Sequence, residues 1–332
     1  MLVILMKYYK NMSKPVLLKV NNLKKNFHVS SLNIDKQTVY ALNGISFLLH
    51  EGETLGLVGE SGCGKSTAAR TILRLVEPTS GEIFYKNKNL VNMKNGELRS
   101  LRREMQIIFQ DPLASLNPRK NVRKILEEPF AIHGFTKSIE IKERISWLLE
   151  RVGVSPDQAE KYPHEFSGGQ LQRIGIARAI SLNPGLIIAD EPVSALDVSI
   201  RAQVINLLSD LKESMGISYL FISHDMTIVR HFCDRVAVMY LGKIVEIGDS
   251  NVLYKNPLHP YTEALLAAIP SINPEIKKTS IKIKGDLPST MEMPSGCAFY
   301  SRCPIREKRC QQTEPQLKEI NSEHKVACFL RN

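Results

Sequence analysis

The stretch Gly59-Glu60-Ser61-Gly62-Cys63-Gly64-Lys65-Ser66 decides the reading of this chain, because it fits the pattern GxxxxGK[ST]. The apolar run Thr54-Leu55-Gly56-Leu57-Val58 before it reads as a buried strand, and Thr67 to Leu75 after it reads as a helix. Strand, loop and helix in that order are the context the pattern requires. Its glycines let successive backbone N–H groups turn inward around phosphates, and the helix adds the positive end of its dipole. Lys65 can reach the β- and γ-phosphates, and the Ser66 hydroxyl can bind Mg²⁺. Gly59 to Thr67 are therefore candidate nucleotide-binding residues. The plain alternative is a glycine-rich turn with a chance Lys-Ser, and the flanking elements argue against it.

Outward from this loop, Pro15–Val20 and Val39–Leu49 read as an antiparallel opening sheet, with a polar loop at Ser30–Thr38 between them. Glu82–Tyr85 and Met105–Phe109 read as further strands. From about Asp111 to Asn183 the spacing becomes helical, with Asn121–His133, Ser138–Val152 and Gly169–Leu182 as the helices of an insertion. Leu186–Ala189 and Ser218–Ile222 are continuous apolar runs, as expected of strands buried on both faces. Val198–Met215 is helical, and Val236–Tyr240 with Lys243–Ile247 suggests a hairpin around Leu241-Gly242. Strands alternating with helices predict a mainly parallel α/β core.

The 332 residues hold one large domain and a smaller one, and 43% hydrophobic with 23% charged residues suits a soluble globular chain. The net charge of +10 favours anionic partners: nucleotides, nucleic acid or an anionic membrane surface. No apolar run is long enough to span a bilayer. Met1–Met6 is apolar, but Lys7 and Lys10 follow it without a small-residue cleavage site, so residues 1–13 are expected to be a disordered start and the protein cytosolic. In a reducing compartment, six cysteines argue for metal or redox chemistry over disulfides.

Asp190 and Glu191 end an apolar strand, the sheet edge at which open α/β folds bind ligands. Asp190 is placed to hold Mg²⁺, and Glu191 to polarise an attacking water as general base. His224 and Gln110 end two other strands. There, His224 could contact the γ-phosphate or the water, and Gln110 could help coordinate Mg²⁺ and the water. Ser167-Gly168-Gly169-Gln170 opens a helix, with Ser167 as its cap and the glycines leaving N–H groups open to an anion. One chain thus carries two phosphate-contacting elements about a hundred residues apart.

The motif order Gly59–Ser66, Gln110, Ser167–Gln170, Asp190-Glu191, Ser194-Ala195-Leu196-Asp197, His224 resembles the ATP-binding cassette ATPases over roughly Val16 to Gly248. The resemblance implies a P-loop NTPase core with an antiparallel β subdomain and an inserted helical subdomain at about 111–183. The cassette would span 14–250, and a small cysteine-rich extension 251–332. It implies head-to-tail pairing, in which Ser167–Gln170 caps ATP held by the partner's phosphate loop and Asp197 lies in the loop crossing that interface. It also implies an aromatic stacked on adenine. Phe27 and Tyr40 are the candidates, each with a core aromatic as the alternative. Phe166 stands where the family usually has Leu, an apolar exchange that leaves the anion-facing residues intact.

Phe109–Pro118, Ala189–Ser199 and Asn256–Thr262 look like segments of oligopeptide and dipeptide importers, and Ala189–Ser199 looks closest to the second of their two ATPase subunits. By that resemblance the partners are a sister ATPase, two membrane-spanning permease subunits and an extracellular peptide-binding protein, at the cytoplasmic face of the membrane. Nickel, opines and sugars are the other cargoes moved by such relatives. A soluble cassette acting on nucleic acid or ribosomes, or a metal-sensing regulator, would be a different class of function. No second cassette or long coiled-coil insertion supports the former.

Cys297, Cys303, Cys310 and Cys328 crowd the last forty residues, spaced C-x5-C-x6-C-x17-C. Four thiolates suit a [4Fe–4S] cluster or tetrahedral zinc, and His324 could replace one cysteine at zinc. The peptide-importer ATPases resemble this tail and carry an iron–sulfur cluster there, which favours the cluster over zinc, with unligated thiols behind both. Cys63 and Cys233 read as packing residues.

Overall fold

A computed structural model describes residues 14–31, 34–269, 288–321 and 324–331. The expected disordered start at 1–13 lies outside them. The chain divides into two compact units. The first holds residues 14–15, His50–Glu53 and Met93–Ile222; the second holds Val16–Leu49, Thr54–Asn92 and the described residues from Ser223 onward.

The first unit is built on three parallel strands in the order β8-β7-β6: Ser218–Ser223, Leu186–Asp190 and Met105–Ile108. Every residue of β7 and β8 is buried, as the unbroken apolar runs predict for strands covered on both faces. The helices Val122–Ile132, Ser138–Arg151 and Gly168–Ile180 fall in the stretch expected to be a helical insertion, and they belong to the same compact unit as these strands. The second of them buries one apolar stripe, Ile145, Leu148 and Leu149, whereas Gly168–Ile180 is buried at nearly every position from Leu171 to Ile180. The helix Val198–Met215 ends on Gly216 at φ 68°, a left-handed stop that glycine adopts without strain.

In the second unit, β3 (Thr54–Val58), β9 (Arg235–Tyr240), β10 (Lys243–Asp249), β12 (His324–Val326) and β11 (Lys318–Asn321) form a mixed run in the order β11-β12-β10-β9-β3. β3 and β9 are parallel, and the later pairings are antiparallel. A smaller sheet runs β2-β1-β4-β5, from Ile34–His50, Val16–Ser31, Ser80–Tyr85 and Lys88–Asn89. The loop expected at Ser30–Thr38 is a correction. β1 extends to Ser31 and β2 resumes at Ile34, with His28 Nδ1 3.2 Å from Thr38 Oγ1. Strand pairing satisfies backbone groups that polar side chains alone did not reveal.

The tail is better anchored than its composition suggests. β12 pairs with β10 through Glu246↔Val326, and Phe299 and Val326 are buried. Phe299 meets Tyr240 edge-on at 5.2 Å and Tyr261 at 5.5 Å. Aromatic packing and a sheet edge therefore both anchor this segment.

Candidate functional site

In the second unit, the phosphate loop joins β3 to the helix Lys65–Ile72. Gly64 precedes that helix at φ 108°, and no side chain caps the first turn, so its N–H groups face the loop unblocked by a cap. A Cβ on Gly64 would lie 2.3 Å from the Ala41 carbonyl oxygen; one on Gly59 would lie 2.2 Å from that of Met239. Only glycine fits either position. Lys65 is buried and folded back, with Nζ donating to the carbonyls of Gly59 at 2.8 Å and Glu60 at 2.9 Å. These are bonds that a phosphate can replace. Cys63 is buried and its thiol is pushed up by burial, the expected packing role.

Glu60 is held from outside the loop. Its N–H donates to the Tyr261 hydroxyl at 2.8 Å. Its carboxylate takes a fork from Arg302, at 2.9 Å and 3.2 Å. Burial pushes the Tyr261 phenol well up, so it stays protonated. Neither Tyr261 nor Arg302 carries a local sequence signal for this role. Glu60 is 201 positions from Tyr261 and 242 from Arg302, and no local pattern spans such distances.

Of the two adenine-stacking candidates, Tyr40 sits next to Ala41, which abuts Gly64, and its N–H bonds the Thr290 carbonyl at 2.9 Å. Phe27 is 38% exposed, with the Lys25 ammonium 4.8 Å from its ring centre. His224 is exposed after β8, and Asp225 beside it caps the helix Met226–Phe232 by accepting from Thr227 and Ile228 N–H groups.

In the first unit, Asp190 ends β7 and is buried. Glu191 follows at φ 48°, a left-handed conformation for a residue with a side chain. Its N–H donates to the Ile222 carbonyl at 3.0 Å, and its carbonyl accepts from the Ser194 N–H at 3.2 Å and hydroxyl at 3.1 Å. Gln110 Nε2 donates to Glu191 Oε2 at 3.3 Å, so two of the expected catalytic residues meet. Ser167 caps its helix in a reciprocal box: its N–H donates to Gln170 Oε1 at 3.0 Å, and Gln170 N–H to Ser167 Oγ at 3.4 Å. A Cβ on Gly169 would lie 2.7 Å from Ile200 Cγ2, so the glycine also serves close packing. Asp197 is exposed and precedes the helix Val198–Met215. Arg201, absent from the sequence reading, donates to the carbonyls of Leu196 at 2.6 Å and Ser194 at 3.4 Å and ties that loop down.

A family profile described as "ABC transporter" matches residues 42–194, and one described as "Oligopeptide/dipeptide transporter, C-terminal region" matches 245–310. The chain is 52% identical over 323 residues to the oligopeptide transport ATP-binding protein AppF of Bacillus subtilis, covering 96% of this chain and 98% of that one. The chain belongs to the ABC transporter ATPases. This cassette ATPase is also 50% identical to the oligopeptide transport ATP-binding protein OppF of Escherichia coli, over 95% of this chain and 96% of the other. Among solved structures, the dimeric post-hydrolysis state of the cassette MJ0796 bound to ADP and Pi superposes with a TM-score of 0.64 at 29% identity, over 70% of this chain and 99% of that one. The cassette binds and hydrolyses ATP, as its family does. Among the described residues no helix is long and apolar enough to cross a membrane.

The iron–sulfur expectation, with zinc as its alternative, is not met by an assembled site. Among the described residues no group of three or more His, Cys, Asp or Glu side chains stands close enough to hold an ion. The thiols are nevertheless neighbours. Burial pushes Cys297 up to about 11, with the charges of Cys303, Cys310 and Cys328 adding to it. Cys303 and Cys328 are raised chiefly by burial too. Backbone N–H groups two residues on, at Phe299, Ile305 and Leu330, bond the sulfurs of Cys297, Cys303 and Cys328. His324 is not available to zinc in the way expected. It is buried, with Nε2 2.6 Å from Glu246 Oε1.

Proposed function

We propose that this cassette ATPase energises the import of oligopeptides or dipeptides, as one of two ATPase subunits on a pair of membrane-spanning permeases served by an extracellular peptide-binding protein. The observation that carries this reading is the pair of family matches in one chain: a cassette, and the C-terminal region found in peptide transporters. In this reading Gly59–Thr67 cradle the phosphates, and Lys65 exchanges its bonds to Gly59 and Glu60 for the β- and γ-phosphates. Ser66, Asp190 and Gln110 would be the residues that hold Mg²⁺. Magnesium neutralises phosphate charge. Glu191 takes the proton of the attacking water, and Gln110, already on its carboxylate, orients it. His224 faces the γ-phosphate. Ser167–Gln170 and Asp197 act on nucleotide bound by the partner cassette. Phe27 or Tyr40 stacks on adenine.

Reconstitution with the two permeases in lipid vesicles tests this reading. ATP turnover should rise when a peptide-loaded binding protein is added. Stimulation by nickel- or sugar-loaded receptors instead would reassign the cargo, and stimulation by RNA or ribosomes would replace the whole reading.

The tail cysteines, in the same proposal, ligate a [4Fe–4S] cluster at the membrane's cytoplasmic face. Supporting this are the shared neighbourhood of four thiols and the N–H bonds to three of their sulfurs, which stabilise thiolates. Raised thiol pKa values mean that ligation must displace protons. Iron and acid-labile sulfide should be found in anaerobically purified protein. One zinc per chain would identify the alternative, and neither metal would end the proposal.

A further inference from the structure

The phosphate loop has an external clamp that the family motifs do not include. Glu60 is the second of the eight loop residues, and its carboxylate adds negative charge where a triphosphate is to bind. Arg302 meets that carboxylate with both terminal nitrogens, at 2.9 Å and 3.2 Å, and its side chain is only 8% exposed. A half-buried, bidentate guanidinium–carboxylate pair is geometrically specific and offsets the acid's charge. The Tyr261 hydroxyl takes the Glu60 N–H at 2.8 Å, so the main chain is pinned as well. Tyr240 ties the two arms together: its ring stacks edge-on with Tyr261 at 4.7 Å, and its hydroxyl lies 3.4 Å from Arg302 Nη1. Lys65 bonds the Glu60 carbonyl, so all three polar parts of Glu60 are engaged.

We infer that Tyr261 and Arg302, both from the C-terminal extension, are positioning residues of the phosphate loop, fixing its shape and cancelling the Glu60 charge so that nucleotide binds tightly. The inference rests on the nucleotide-site reading of Gly59–Thr67. Arg302 lies between Cys297 and Cys303, and the short helical turn Tyr300–Arg302 presents it. The extension therefore reaches the ATP site through a side chain and not only through packing.

The test uses the full chain, a fluorescent ATP analogue for affinity and steady-state turnover. Arg302→Met should weaken nucleotide binding about tenfold, the effect of losing one charged hydrogen-bonded pair, while kcat at saturating ATP stays within about twofold of the wild type. Adding Glu60→Gln should restore affinity to within about threefold, because the carboxylate that Arg302 neutralised is gone. Tyr261→Phe, which deletes one oxygen and keeps the packing, should also raise the dissociation constant at unchanged kcat. Wild-type affinity in both Arg302→Met and Tyr261→Phe would overturn the inference, as would a double variant as weak as Arg302→Met. Lys65→Ala separates the failures: if it binds the analogue normally, the nucleotide-site reading itself is wrong.

Discussion

Glu191, the proposed general base, shows most plainly how neighbouring bonds hold one residue in an unusual conformation. A left-handed backbone costs a side-chain-bearing residue about 1–3 kcal/mol, and it persists because neighbouring bonds over-determine it. Here Ile222 and Ser194 hold both ends of its peptide unit, and Gln110 meets its carboxylate. Glu191→Gln keeps the shape and removes the basicity. It should lower kcat by about 10²–10⁴-fold while leaving ATP binding intact, and should yield a long-lived ATP-bound dimer. Single-turnover kinetics and size-exclusion chromatography would check this, and unchanged turnover would remove Glu191 from its role. At Lys65 the outcome should be the reverse: Lys65→Ala weakens nucleotide affinity directly, since its ammonium is the loop's own cation.

Among the elements, the turn from β3 into the helix Lys65–Ile72 is the least tolerant. Gly64→Ala would force a Cβ to 2.3 Å from the Ala41 carbonyl at φ 108°. A loss of about 1–3 kcal/mol in stability is expected, with nucleotide binding lost alongside it; denaturant unfolding with and without ATP would measure both. The helix Gly168–Ile180 is a milder case. Ser167→Ala removes one arm of its capping box and should cost about 1 kcal/mol, read as a drop in unfolding midpoint. A larger loss in ATP-dependent pairing than in stability would place Ser167 at the partner's nucleotide, as proposed.

For the molecule as a whole, buried polar groups under the tail set the response to acid. Glu246, fully buried, accepts from the N–H groups of Leu258 and His259 and pairs with His324. Glu246→Ala would strand all three partners and should destabilise the protein by about 3–5 kcal/mol in denaturant titrations. His259 is neutral in the fold, its pKa lowered from 6.5 to about 4 by burial, with Glu246 pulling the other way. The unfolded chain therefore takes up a proton near pH 6.5 that the folded chain refuses until about pH 4. Stability is fully present above 6.5 and falls as pH drops through that window, by on the order of 3 kcal/mol. Unfolding at pH 7 and pH 4.5 would show the slope. His259→Asn, which keeps an acceptor for the Tyr261 N–H, should flatten it.

Local pattern by itself determined the strand, glycine turn and helix around Gly59–Ser66, the buried strands β7 and β8 and the helix Val198–Met215, because hydrophobic period and glycine spacing are properties of neighbours along the chain. The capped helix after Ser167 was legible for the same reason. Tertiary structure alone decided the left-handed turn at Glu191, the long pairing of β1, the pairing of His324 with Glu246 where a zinc ligand was only an alternative, and the grip of Tyr261 and Arg302 on Glu60. Each of these is a contact between residues far apart in sequence, or a backbone state imposed by such contacts. Chain proximity carries no record of either.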